Sequence, residues 1–131
     1  MKIENFKTGV PIDPNVKPID LDPKDNINNK KHVRRLLKNI VESSPNTLQE
    51  NLNNAYHKDA KLKCFYPVNE IQGIDEIQDK LWKPLLHSFP DIERRDNLII
   101  GGNFQNKIFV STVGHLTGTF TNPWFDVPAS Y

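Results

Sequence analysis

Residues that can move protons are few and spread along the chain. His115 lies inside the apolar run "VSTVGHLTGTF", and its imidazole can exchange a proton near neutral pH. Asp91 follows the Phe89-Pro90 corner, where a carboxylate can act as a base, and Glu70 lies in "PVNEIQG" beside Asn69. An amide and a carboxyl placed together there can grip the polar end of a ligand. Each has a structural counterpart. The histidine can bond to a neighbouring strand, Asp after Pro is a common turn residue, and Glu70 can cap a following helix. Tyr66, Trp82 and Trp124 are candidate walls of an aromatic pocket, because such rings bury large areas while keeping a polar tip. Core packing is the alternative for Trp82.

Other chemistries find little support. His32, His57, His87 and His115 show no HxH or HExxH spacing and no companion cysteine pair, which argues against a metal site. No Gly-rich phosphate loop precedes a helix, and no Gly-x-Ser-x-Gly elbow occurs. Lys plus Arg number 17 against 16 for Asp plus Glu, so the molecule as a whole has no field to draw it to nucleic acid or an anionic membrane. The basic cluster "KKHVRRLLK" places Lys30, Lys31, Arg34, Arg35 and Lys38 on the polar sectors of a helix, which fits a solvated face. The single cysteine, Cys64, cannot pair internally and is consistent with a reducing compartment. No stretch approaches the roughly 18–20 apolar residues of a membrane helix, and "MKIENFKTGV" lacks the core of a secretory signal. The expectation is a cytoplasmic chain with neither nucleic-acid nor membrane partners.

The elements that must position these residues follow from period and punctuation. At 131 residues the chain is the size of one domain. Residues 1–25 carry Pro11, Pro14, Pro18 and Pro23 without a helical or strand period, and predict an extended or flexible arm. Val33, Leu36, Leu37, Ile40 and Val41 form one helical stripe, predicting a helix over 26–43. Asn46 or Thr47 can cap a second helix with Leu48, Leu52, Ala55 and Tyr56 inward. "AKLKCFYPV" alternates like a half-buried strand ending at Pro67. Ile74, Ile77, Leu81, Leu85 and Leu86 predict a third helix, kinked or restarted at Pro84, and Pro90 forces the chain out of it at "FPD". "DNLIIGG" and "KIFVSTVGHLTGTF", around "NFQN", predict a hairpin whose second arm, 107–120, is much the longer. Gly114 and Gly118 share a face of that arm and suggest a bend or bulge.

This succession, with "PVNEIQGIDEI", "LWKPLLHSFPDIERRDNLIIGG" and "VGHLTGTFTNPWFDVP" across residues 67–128, resembles the SnoaL-like polyketide-cyclase branch of the nuclear-transport-factor-two-like superfamily. The resemblance implies an α+β fold over 26–131, in which a cone-shaped, curved antiparallel sheet packs on three N-terminal helices and encloses an apolar pocket for a small hydrophobic molecule. It also implies a cyclase or isomerase working by acid/base proton transfer without metal or cofactor; on the residue reading above, His115, Asp91 and Glu70 are then the acid/base candidates, and Tyr66, Asn69, Trp82 and Trp124 the ligand-binding ones. A non-catalytic ligand-binding or oligomerisation module on the same fold is the alternative. Relatives continue past the Pro-Trp segment with further strands, whereas this sequence reads "PASY", so the sheet is expected to be incomplete. A long strand left at a sheet edge has unpaired amides that favour a second chain, hence an expected homodimer.

Overall fold

The computed structural model describes residues 23–104 and 106–129. Helix α1 spans Pro23–Val41 and α2 spans Leu48–Ala55. A small antiparallel pair follows, β1 at Lys61–Lys63 and β2 at Glu70–Gln72. The third helix, α3, covers residues 74–88 in three joined segments, Ile74–Ile77, Gln78–Trp82 and Lys83–Ser88. A second antiparallel pair closes the order, β3 at Glu93–Phe104 and β4 at Lys107–Thr117. The class is therefore α+β, with two separate two-stranded sheets. Among the described residues no helix is long and apolar enough to cross a membrane.

The helical stripe read from sequence is the inward one. Ile40 and Val41 of α1 join Leu48 and Leu52 of α2, Ile71 of β2, and Ile77, Leu81, Trp82 and Leu85 of α3 in one core cluster. Most of the arm expected over 1–25 lies outside the described residues, but its last three residues already belong to α1. Proline at a first helical position loses no hydrogen bond, so Pro23 can open the helix rather than delay it. The turn into α2 also differs. Thr47 makes no capping bond to α2; its hydroxyl accepts the Ser44 amide at 2.9 Å. Asn51 donates from Nδ2 to the Asn39 carbonyl at 3.1 Å and to Ser43 Oγ at 2.8 Å, tying α2 to the end of α1.

Strand β1 is shorter than its alternating pattern. Leu62 and Cys64 are half-buried, but the chain turns at 64–69 through a cis Tyr66-Pro67 peptide and a left-handed Asn69 at φ 57°. It returns as β2, a strand too short to show a period, in register Lys61 to Gln72 and Lys63 to Glu70. Glu70 is thus a strand residue and not a cap; α3 starts after Gly73 with no side-chain cap, and Glu76 in its first turn accepts the Gln72 amide of β2 at Oε2, 2.9 Å away.

Around Pro84, α3 is restarted rather than broken. Proline offers no N–H and crowds the preceding turn, and the π-helical turn Gln78–Trp82 stands in front of it. The Lys83 amide reaches the Gln78 carbonyl, and a fresh α segment begins with Pro84 in its first turn. Strand β3 starts earlier than expected, at Glu93, so the arms of the hairpin are nearly equal at 12 and 11 residues. A bulge is present opposite Gly114, but its extra residue lies on β3 and not on the second arm, and Gly118 falls beyond β4. Asp96 pairs with Gly114 and Leu98 with Val113, leaving Asn97 as the extra residue. A Cβ on Gly114 would lie 2.1 Å from the Arg95 carbonyl oxygen, which explains glycine at this position.

The bulged ribbon has two faces. Ile99, Gly101, Val110 and Thr112 lie on the half-buried face, where Gly101 abuts Asn26 and Lys30 of α1. Leu98, Ile100, Phe109 and Val113 lie on the other and are exposed, with the Phe109 ring folded across Gly102.

Candidate functional site

An aromatic groove of about 620 Å³ forms where the turn after β1 meets the segment following β4. The later segment is fastened to the end of α3. The Ser88 carbonyl accepts the Thr121 amide at 2.9 Å, the fully buried Ser88 hydroxyl donates to the Pro123 carbonyl at 3.0 Å, and Asn122 Nδ2 donates to the His87 carbonyl at 2.8 Å. These bonds deliver Trp124 to the groove. Two 3.0 Å backbone bonds with Val127 then close a tight turn around Phe125 and Asp126. Both turn residues are left-handed, at φ 48° and 65°, a costly conformation for a bulky aromatic side chain.

Ring packing holds the walls. Phe89 stacks on Phe120 at 5.0 Å and meets Trp124 edge-on at 5.6 Å. Phe65 meets Trp124 edge-on at 5.8 Å, and Trp124 lies 5.0 Å from Phe125. Phe65 and Tyr66 come from the opposite bank, whose turn is fixed by the Cys64 amide on the Asn69 carbonyl at 2.7 Å and the Asn69 amide on the Phe65 carbonyl at 2.9 Å. Tyr66 is 86 % exposed at the groove's open side. The indole N–H of Trp124 is shielded from solvent and has no hydrogen-bond partner among the described residues. Such a surface can hold a flat or branched apolar molecule by ring contact.

Of the residues singled out from sequence, Tyr66 and Trp124 come together here. Trp82 instead packs in the core. Asn69 shapes the turn below Tyr66, its Nδ2 donating to the Pro67 carbonyl at 3.2 Å. The three acid/base candidates occupy different elements and share no described cleft. His115 lies on the exposed face of β4 with Nδ1 2.9 Å from Asn97 Oδ1 on the neighbouring strand. Asp91 is bonded to Thr119, whose hydroxyl and amide hold its carboxyl below the ordinary range. Glu70 is exposed on β2, opposite Lys63.

Two further depressions are present. A polar cleft of about 350 Å³ between α1 and β3 is lined by Arg34, Lys38, Glu42 and the Arg94–Asp96 ion pair. That pair is 2.8 Å long and mostly buried, with the Asp96 side chain only 5 % exposed, and Arg94 also donates to Thr112 Oγ1. An apolar groove of about 680 Å³ lies between the α1–α2 turn and the end of α3, lined by Val41, Pro45, Leu48, Leu86, His87 and Pro90. Burial, the largest influence on each, raises the Tyr56 hydroxyl and the Cys64 thiol above their ordinary values. Among the described residues no three His, Cys, Asp or Glu side chains gather as a metal-binding group.

The sequence reading missed Phe65, Phe120, Phe125 and Asp126 as groove residues, and Arg94 and Asp96 as a buried pair. The aromatic density of "TFTNPWFDVP" was the available signal for the first group. Nothing in the type of Phe125 announces a left-handed turn, although aspartate tolerates that conformation. No family model matches the chain, and no curated protein or solved structure matches it either.

Proposed function

We propose that this chain carries a SnoaL-like α+β domain that binds a small, largely apolar molecule in the aromatic groove. The observation that carries the reading is the convergence of Tyr66 and Trp124, drawn from opposite banks, with Phe65, Phe120 and Phe125 around one open volume of about 620 Å³. Ligand sites are characteristically concave, mostly apolar and supplied with few polar groups. The order of elements supports the family reading: helices first, a short strand pair before α3, then a long bulged hairpin packed on α1. In this proposal β3 and β4 are the described part of the cone-shaped sheet.

A catalytic reading, a cofactor-independent cyclase or isomerase, is favoured by a different observation. The mostly buried Arg94–Asp96 pair lies in the polar cleft, where a fixed guanidinium and carboxylate side by side can bind and orient a polar substrate group. In this reading Asp96 is the acid/base candidate of the cleft, which His115, Asp91 and Glu70 do not line.

The proposal extends to assembly as a homodimer. Among the described residues β4 bonds only to β3, leaving its outer edge open. An 11-residue edge strand is a template for a second copy of the chain.

Titration with neutral 2-naphthol, followed by the two indole N–H resonances, tests the binding reading. Trp82 serves as the internal control, because it lies in the core. The expected result is a saturable shift of Trp124 with Trp82 unmoved. No shift of Trp124 at saturating ligand overturns it.

A further inference from the structure

We propose that the ligand of the aromatic groove is a small free organic cation, an alkylammonium with apolar substituents; this rests on the groove being a ligand site. Among the described residues lining the groove, Asp126 is the one charged side chain, and Phe65, Tyr66, Phe120, Trp124 and Phe125 surround the same volume. A cation over an aromatic face is attracted by the ring quadrupole, and several rings with one carboxylate add that attraction to a full countercharge. A neutral hydrocarbon gains from the rings alone, and an anion meets the carboxylate.

The backbone adds an independent reason. The turn that sets Asp126 beside the rings is built from two consecutive left-handed residues, neither of them glycine, at φ 48° for Phe125 and φ 65° for Asp126. Glycine would adopt such a turn without steric cost. Keeping a phenyl ring and a carboxylate there instead places both at the groove while the backbone carries the strain. Tyr66, 86 % exposed, is a large aromatic side chain left almost wholly in solvent. A ligand of this class would cover it.

Choline and its neutral isostere 3,3-dimethyl-1-butanol differ in charge and hardly in shape. With the Trp124 indole resonance as readout on the full chain, choline binds about fivefold or more tightly than the alcohol. Asp126→Asn, which retains a side chain tolerant of the left-handed conformation, removes most of that difference by weakening choline far more than the alcohol. Equal binding of both compounds, unaffected by Asp126→Asn, overturns the cation and keeps the groove as an apolar site. No movement of Trp124 with choline, the alcohol or 2-naphthol overturns the groove reading itself. Phosphatidylcholine vesicles provide the last arm: the protein stays in the supernatant, and co-sedimentation overturns a free cation in favour of a lipid headgroup.

Discussion

Asp91 holds Thr119 by two bonds, accepting the backbone amide at Oδ1 and the hydroxyl at Oδ2, each at 2.6 Å. The contact joins the corner after α3 to the chain leaving β4, so a residue read from sequence as a possible base acts as a clasp. Those two bonds favour the ionised carboxyl and depress its titration in the folded chain. A depressed carboxyl contributes stability that is complete above the unfolded value, about pH 4, and is lost as pH falls through the lower folded value. Asp91→Asn should therefore lower the urea midpoint at about pH 7, and the gap to the parent protein should close toward about pH 2. A gap that is the same at both pH values contradicts the clasp.

Gly114→Ala should be the costliest of the hairpin glycine changes. Its Cβ would meet backbone atoms, the Arg95 carbonyl oxygen at 2.1 Å and Asp96 Cα at 2.9 Å, which can yield only if the bulge shifts. At Gly102 the obstruction is the Phe109 ring, a side chain that can rotate away. The expected losses are about 1–3 kcal/mol for Gly114→Ala and less than about 1 kcal/mol for Gly102→Ala, read from urea midpoints.

How far the sequence revealed this molecule depends on whether a feature is periodic. The stripe of Val33, Leu36, Leu37, Ile40 and Val41 gave α1 its inward face, and Pro90 ended α3 where an imino acid must. Gly114 marked the register of the bulge but not the strand that carries it, since the extra residue is Asn97 of β3. Strand β2 went unread because three residues cannot display a period. The groove was half legible: Tyr66 and Trp124 were recognisable by type. Phe65 adjoins Tyr66 and Phe125 adjoins Trp124 in the chain, but the segment that carries Phe120, Trp124 and Phe125 is held to the end of α3 through long-range bonds such as Ser88 to Pro123, which no local pattern encodes.

Ser88→Ala should reach the groove through the backbone. The Ser88 hydroxyl is fully buried and donates to the Pro123 carbonyl. Its removal costs that hydrogen bond, about 0.5–1.5 kcal/mol of stability, since the Pro123 carbonyl belongs to an exposed residue. Since Pro123 directly precedes Trp124, affinity for 2-naphthol should fall as well. Calorimetric melts and the Trp124 titration measure the two effects, and loss of stability with unchanged affinity would separate the anchor from the site.

Light scattering across a concentration series reads the proposed homodimer. Twice the monomer mass is expected, falling to a single-chain mass with Val113→Lys, which places a charge on the exposed face of β4. A single-chain mass for the parent protein at high concentration contradicts it.

The most direct test of the central claim is a comparison of 2-naphthol affinity for three variants, one in each depression. Tyr66→Ala removes a side chain at the open side of the aromatic groove, His87→Ala alters the apolar groove beside α3, and Arg34→Ala alters the polar cleft. Loss of one large aromatic contact should weaken binding roughly tenfold for Tyr66→Ala. The other two should bind as the parent does. Unchanged binding by Tyr66→Ala, with loss in either of the others, would move the ligand out of the aromatic groove and contradict the account.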